Sequence, residues 1–172
     1  MILRCGATNT LNLMFKLFRR PKHDEHAKLL LQRAQIIAAS STLPILNAYP
    51  ALSAIFRRPE FCAHGHWDFF VTAAGLGTGL SLYAAQHPPS DMRLFASALI
   101  LHIDSWDGQA ATAVADFQEF VTCNMNSGAE HTAAIGSWIV WNIKGSPPLD
   151  PELVASPAIG ALVLNGVRDW MT

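Results

Sequence analysis

The sequence predicts an all-α protein of about seven helices, a single-domain helical bundle preceded by an amphipathic basic N-terminal helix. Three observations predict it. Nearly every segment between turn signals repeats its apolar residues at i, i+3, i+4 and i+7, the period of a helix with one buried face. Runs that alternate apolar and polar residues, the mark of a half-buried strand, are scarce. The chain of 172 residues is 51% apolar and only 15% charged, so it can build one core but has little charge to cover its exterior, which points to a face concealed by a partner.

Taken in order, Leu11, Met14, Phe15 and Phe18 share one helical face with Asn12, Lys16, Arg19 and Arg20 opposite, and Pro21 is expected to end that helix. Asp24 is expected to cap a second helix running to about Ser40, with Leu29, Leu30, Ile36 and Ile37 among its apolar positions. Pro44 and Pro50 should break the stretch up to Arg58. The expected organisation is therefore a basic helical segment over 1–40, a proline-broken linker helix over 41–60 and an acidic helical bundle core over 61–172, within one domain overall.

Residues 67–86 predict the central helix, stopped by His87-Pro88-Pro89 and followed by a helix over 91–105 capped at Ser90. The run 69–85 is uncharged for 17 residues. That is the lower limit for a membrane span, and its threonines and glycines favour a buried core helix instead. Residues 109–125 place Val114, Phe117, Phe120 and Val121 on one face. Ser127-Gly-Ala-Glu130 matches a capping box that should start a helix to about Ile143. After the turn 145–148, Asp150-Pro151 opens a last helix that Pro157 should kink.

Charge is divided along the chain. Residues 1–58 hold nine Lys/Arg against two acids and residues 59–172 hold three against eleven, so +7 and −8 lie within a total of −1. A basic segment seeks phosphate, lipid headgroups or an acidic protein surface, and an acidic surface is available on the same chain. The first 23 residues carry five basic residues and no acid, a transit-peptide-like composition. Cys5, Cys62 and Cys123 lie far apart, without the paired spacing of a zinc knuckle or redox pair, and are expected as reduced thiols in a cytoplasmic setting.

Groups able to do chemistry fall in two clusters. His64, His66 and Asp68 alternate and would ligate a metal on extended backbone, while a position just before a helix suits them equally as caps. His102, Asp104 and Asp107 form the second cluster, in which Asp104 and Asp107 share a helical face and resemble a magnesium-holding carboxylate pair. Their place at a helix boundary favours capping. No Glu precedes a His by three residues, so a di-iron bundle site is not expected. Gly75-Leu-Gly77-Thr-Gly79 lacks the Lys-Ser/Thr of a phosphate loop and marks a close helix contact. Trp138 and Trp141, at i and i+3, are expected in the core.

No completed catalytic pattern emerges. The expected function is a non-enzymatic interaction or assembly protein that self-associates, as a dimer, or acts as an adaptor through the basic helix, with Phe15, Lys16, Phe18, Arg19 and Arg20 as its contact. No cofactor is predicted. One alternative is a small helical enzyme or ligand- or metal-binding protein using His64, His66, Asp68, His102, Asp104 and Asp107. Another is a peripheral membrane protein anchored on an anionic membrane by residues 11–20. Nucleic acid is the least favoured partner, since no aromatic-basic interleaving accompanies the arginines.

Overall fold

The structure, a computed structural model, describes the backbone of residues 8–56 and 66–171 and the side chains of residues 22–54, 66–150 and 152–171. Among them there is no strand: the protein is all-α. Six long helices, α1 (Thr8–Ala48), α3 (His66–Gln86), α4 (Pro89–Trp106), α5 (Ala110–Asn126), α6 (His131–Lys144) and α7 (Asp150–Met171), are joined by a 3-10 turn (Pro50–Leu52) and the single turn α2 (Ser53–Phe56).

The N-terminal part differs from expectation. Pro21 does not end a helix and Asp24 does not begin one, because α1 runs unbroken for 41 residues through both Pro21 and Pro44. A proline inside a helix forfeits one backbone hydrogen bond, and tertiary packing on both sides can outweigh that loss. Here the packing is visible: Ala27, Leu30, Leu31, Ala34, Ile37, Ala38 and Ile45 lie buried along one side of α1, flanking Pro44. The break comes instead at Tyr49-Pro50, where the backbone of Tyr49 leaves helical geometry.

The expected core helix is α3, with Val71, Ala73, Ala74 and Leu76 fully enclosed. Its glycines explain how tightly it is held. A Cβ on Gly75 would press on Ala34 and one on Gly79 on Leu30, both in α1, while one on Gly77 would enter the Phe117 ring of α5. The small-residue stripe is therefore a contact with two helices of the same chain, and the stability that glycine gives up in a helix is offset by their close approach.

Helices α6 and α7 approach still more closely. A Cβ on Gly136 would overlap the Ser156 carbonyl, and one on Gly160 would overlap that of Thr132, so the two backbones touch where side chains normally intervene. Pro157 lies within α7 beside this contact. The connection is clasped by Glu152, whose carboxylate accepts from Lys144 Nζ at 2.7 Å and from the Leu149 N–H at 2.6 Å, and Gly145 closes α6 at φ 74°.

Two expected caps are not made. Helix α4 starts at Pro89, one residue before Ser90, with Pro88 preceding it. The capping box at 127–130 is absent: Ser127 ends α5 and its hydroxyl donates to the Cys123 carbonyl at 3.0 Å, while Glu130 precedes α6 without a side-chain cap. A Ser at i+4 from a helical carbonyl can satisfy that carbonyl instead of the next helix, and here it does.

Candidate functional site

Helix α1 presents two apolar faces. Its inner face meets α3, α4 and α7, and Arg33 Nε donates to the Gly166 carbonyl at 2.9 Å to pin α1 against α7. On the opposite side Leu29, Ile36 and Leu43 are 41%, 57% and 71% exposed. Seven residues make almost two helical turns, so these three side chains form one line displaced by about 20° per repeat. Their outward neighbours Gln32, Ala39, Ser40 and Asn47 carry no charge, and no Lys, Arg, Asp or Glu occurs from Ala34 to Phe56. Single exposed aliphatics are ordinary, whereas an uncharged line of them on one helix is the kind of surface that partners cover in other proteins. Among the described residues, the Lys22–Ala48 part of α1 is also the one stretch long and apolar enough to cross a membrane, and 39% of its apolar 18-residue window is buried inside the bundle.

The contact residues expected from sequence, Phe15, Lys16, Phe18, Arg19 and Arg20, lie on the N-terminal continuation of this helix, and their side chains fall outside those described. The outward line at 29, 36 and 43 was open to a sequence reading but hidden by the expected breaks at Pro21 and Pro44. The expected second helix, 24–40, held Leu29 and Ile36 but grouped them with Leu30 and Ile37, and it stopped before Leu43.

The two His/Asp segments approach through their aromatic residues: Phe69 of α3 stacks on Trp106 of α4 at 5.7 Å. Their polar groups are placed separately. His64 lies outside the described residues. His66 opens α3 and is buried near Phe70, with ring centres 6.3 Å apart. Asp68 is exposed in the first turn of α3, where the helix dipole favours a carboxylate. His102 turns to α1 and donates from Nε2 to Asp24 at 3.0 Å. Asp104 is exposed. Asp107 ends α4 and accepts the Gln109 N–H at 2.8 Å, forming the turn into α5. Among the described residues, no three His, Cys, Asp or Glu side chains converge in a way that could hold a metal ion.

Tyr83 is the polar centre that the sequence reading passed over. Its hydroxyl lies 3.2 Å from buried His23 Nδ1, and its ring stacks between His87 at 3.8 Å and Phe95 at 4.0 Å. Burial, with Asp91 nearby, pushes the phenol above its ordinary 10.0, so it stays protonated. At the start of α6, burial and the Arg168 charge lower the pKa of His131 from its ordinary 6.5, and the helix N-terminus disfavours a cation in the same sense. Trp138 is in the core, donating from Nε1 to Asp116 at 2.7 Å, whereas Trp141 is 41% exposed against Phe120.

No protein-family model, curated protein or solved structure matches this chain.

Proposed function

We propose that this is a non-enzymatic helical assembly protein in which two copies pair antiparallel along α1, with a two-fold axis at Ile36. The carrying observation is the uncharged outer line Leu29, Ile36 and Leu43 on a helix whose inner face is already packed. Leu29 and Leu43 lie seven residues to either side of Ile36, so the axis sets Ile36 on itself and Leu29 on the partner's Leu43. Such a surface is complementary to itself, the requirement of a two-fold interface.

Charge selects the direction. The charged residues of the described outer surface, Lys22, Glu25 and Lys28, are gathered at one end of α1. A parallel pair would place each beside its own copy, which is repulsive; an antiparallel pair separates them. In that register residues 8–23 of each copy run past Ala48 of the other, about 24 Å of helix. This carries Lys16, Arg19 and Arg20 past the partner's uncharged 34–48 stretch, from where these long side chains can reach for acidic residues of the partner's 59–172 half. Six half-covered aliphatic side chains contribute on the order of 6 kcal/mol, near the low end of the ~4–15 kcal/mol lost on association. The basic extension therefore supplies the surplus.

Sedimentation equilibrium at tens of micromolar tests this. The native protein is expected at twice 18.7 kDa, and Ile36→Glu at the single mass with its helical signal intact. Deletion of residues 1–20 should weaken the pair, more so at low salt, without abolishing it. A native protein at 18.7 kDa, or an Ile36→Glu protein that keeps the double mass, ends the proposal. Pelleting of a monomeric native protein with anionic vesicles, prevented by Ile36→Glu, would assign the same face to lipid instead.

A further inference from the structure

At the end of the bundle where α1, α3 and α7 meet, a cavity of about 330 Å³ is walled by aromatic and polar side chains. His26 and Leu29 come from α1, Tyr83, Gln86 and His87 from the end of α3, and Trp170 and Met171 from the end of α7. The size lies at the lower end of small-molecule sites, and the wall is divided about evenly between polar and apolar surface. Among the described residues, no carboxylate, ammonium or guanidinium lines it.

The polar groups have bonding capacity to spare. Neither the His26 imidazole, the Gln86 carboxamide nor the Trp170 indole N–H has a hydrogen-bond partner among the described residues; His26 instead meets the Trp170 ring edge-on at 6.4 Å. His87 is more fully determined. Its Nδ1 lies 3.0 Å from the Tyr83 carbonyl, which can only accept, so Nδ1 carries a proton and Nε2 is the ring nitrogen left to accept from a ligand. One face of that imidazole is covered by Tyr83, nearly parallel at 6°, with Phe95 beyond. The ring is thus held rigid by stacking and by its hydrogen bond.

We infer that this cavity is a binding site for a flat, uncharged aromatic heterocycle bearing a ring N–H, of the indole or purine kind. The aromatic walls select a planar ring, the lack of charge selects a neutral one, and His87 Nε2 accepts its N–H. Gln86 and His26 bond the remaining edge. The lining residues come from one chain, and Leu29 belongs also to the outer line of α1, so pairing would set the partner's Leu43 at the rim of the cavity and binding is measured in Ile36→Glu as well as in the native protein.

The test compares indole with benzofuran, which has the same shape with oxygen in place of the N–H, in the full-length protein. The readout is the Trp170 indole N–H resonance, assigned by its loss in Trp170→Phe. Indole is expected to shift this resonance and to bind about fivefold tighter than benzofuran, the value of one net hydrogen bond. His87→Phe keeps the stack and removes the acceptor, so it should abolish that difference, while Gln86→Ala at the exposed rim should weaken indole without disturbing the fold. Equal binding of indole and benzofuran, no shift of Trp170 at millimolar indole, or indole seated instead among Leu80, Met92 and Ile103 in the apolar cavity between α4 and α5 would each overturn the inference.

Discussion

The two faces of α1 are both apolar and differ in what they meet. Inside, Leu30, Ala34 and Ile37 face glycines on α3 and α7: Gly79 accommodates Leu30, Gly75 accommodates Ala34, and Gly166 accommodates Ile37. Outside, Leu29, Ile36 and Leu43 have no such complement. Composition does not distinguish Leu29 from Leu30 or Ile36 from Ile37; only the glycines of distant helices do. An apolar residue is thus a core residue when the rest of the chain has given it a place, and the residues without one are available to something else.

Substitution of adjacent residues gives the largest contrast. Leu30→Ala, at a fully buried site, should cost about 2–5 kcal/mol in denaturant unfolding, while Ile36→Ala should change the stability of the dissociated chain by no more than about 0.5 kcal/mol. Equal costs would mean that the outer face is packed in solution within one molecule. The same glycine rule applies away from α1. Gly136→Ala drives a methyl group into the Ser156 carbonyl of α7 and should cost about 3 kcal/mol, whereas Gly108→Ala, with open space around it, should be neutral or slightly stabilising. A mild Gly136→Ala would show that α6 and α7 can separate without penalty.

The sequence disclosed the all-α class and the places of α3 to α7 because helical periodicity and Pro/Gly punctuation are local signals. It misplaced what depended on distance. Pro21 and Pro44 read as breaks, yet packing carries α1 through both. Ser127 and Glu130 fitted a capping box, but Ser127 found a carbonyl of the preceding helix first. The glycine stripe on α3 was legible as a close contact and silent about its partners. The cavity at Tyr83, Gln86 and His87 had no local signature, since it needs the ends of α1 and α7, whose His26 and Trp170 are remote in sequence.

Acidity should separate the two faces by a smaller effect. With the folded pKa of His131 lowered from 6.5, the unfolded chain binds a proton that the folded chain resists. The neutral ring's full contribution is present above pH 6.5 and is lost as pH falls from there through the lowered folded value. His131→Gln should therefore narrow the fall in melting temperature between pH 7.5 and pH 5. Because His131 opens α6 and the outer face of α1 bears no histidine between Leu29 and Asn47, the association constant should change little in the pH range where this contribution is lost. A pH-dependent association constant in Ile36-intact protein, abolished by His131→Gln, would tie the bundle's interior to its outer face and break the distinction.

The smallest effect belongs to the pair at the margin between the faces. Asp24 and His102 meet at 3.0 Å with side chains 61% and 27% exposed, a geometry in which solvent screens most of the attraction. Asp24→Asn should cost about 0–1 kcal/mol, and the difference from the native protein should shrink further in about 0.5 M salt. It tests what holds the charged end of α1 to α4. If apolar contacts on the inner face fix the helix, removing this hydrogen bond leaves the position of α1 unchanged and Tyr83 still beside His23. If Asp24→Asn instead exposed His23 to rapid exchange or cost several kcal/mol, α1 would be held at that end by charge, and its basic extension would be too loosely seated to reach a partner in a defined register.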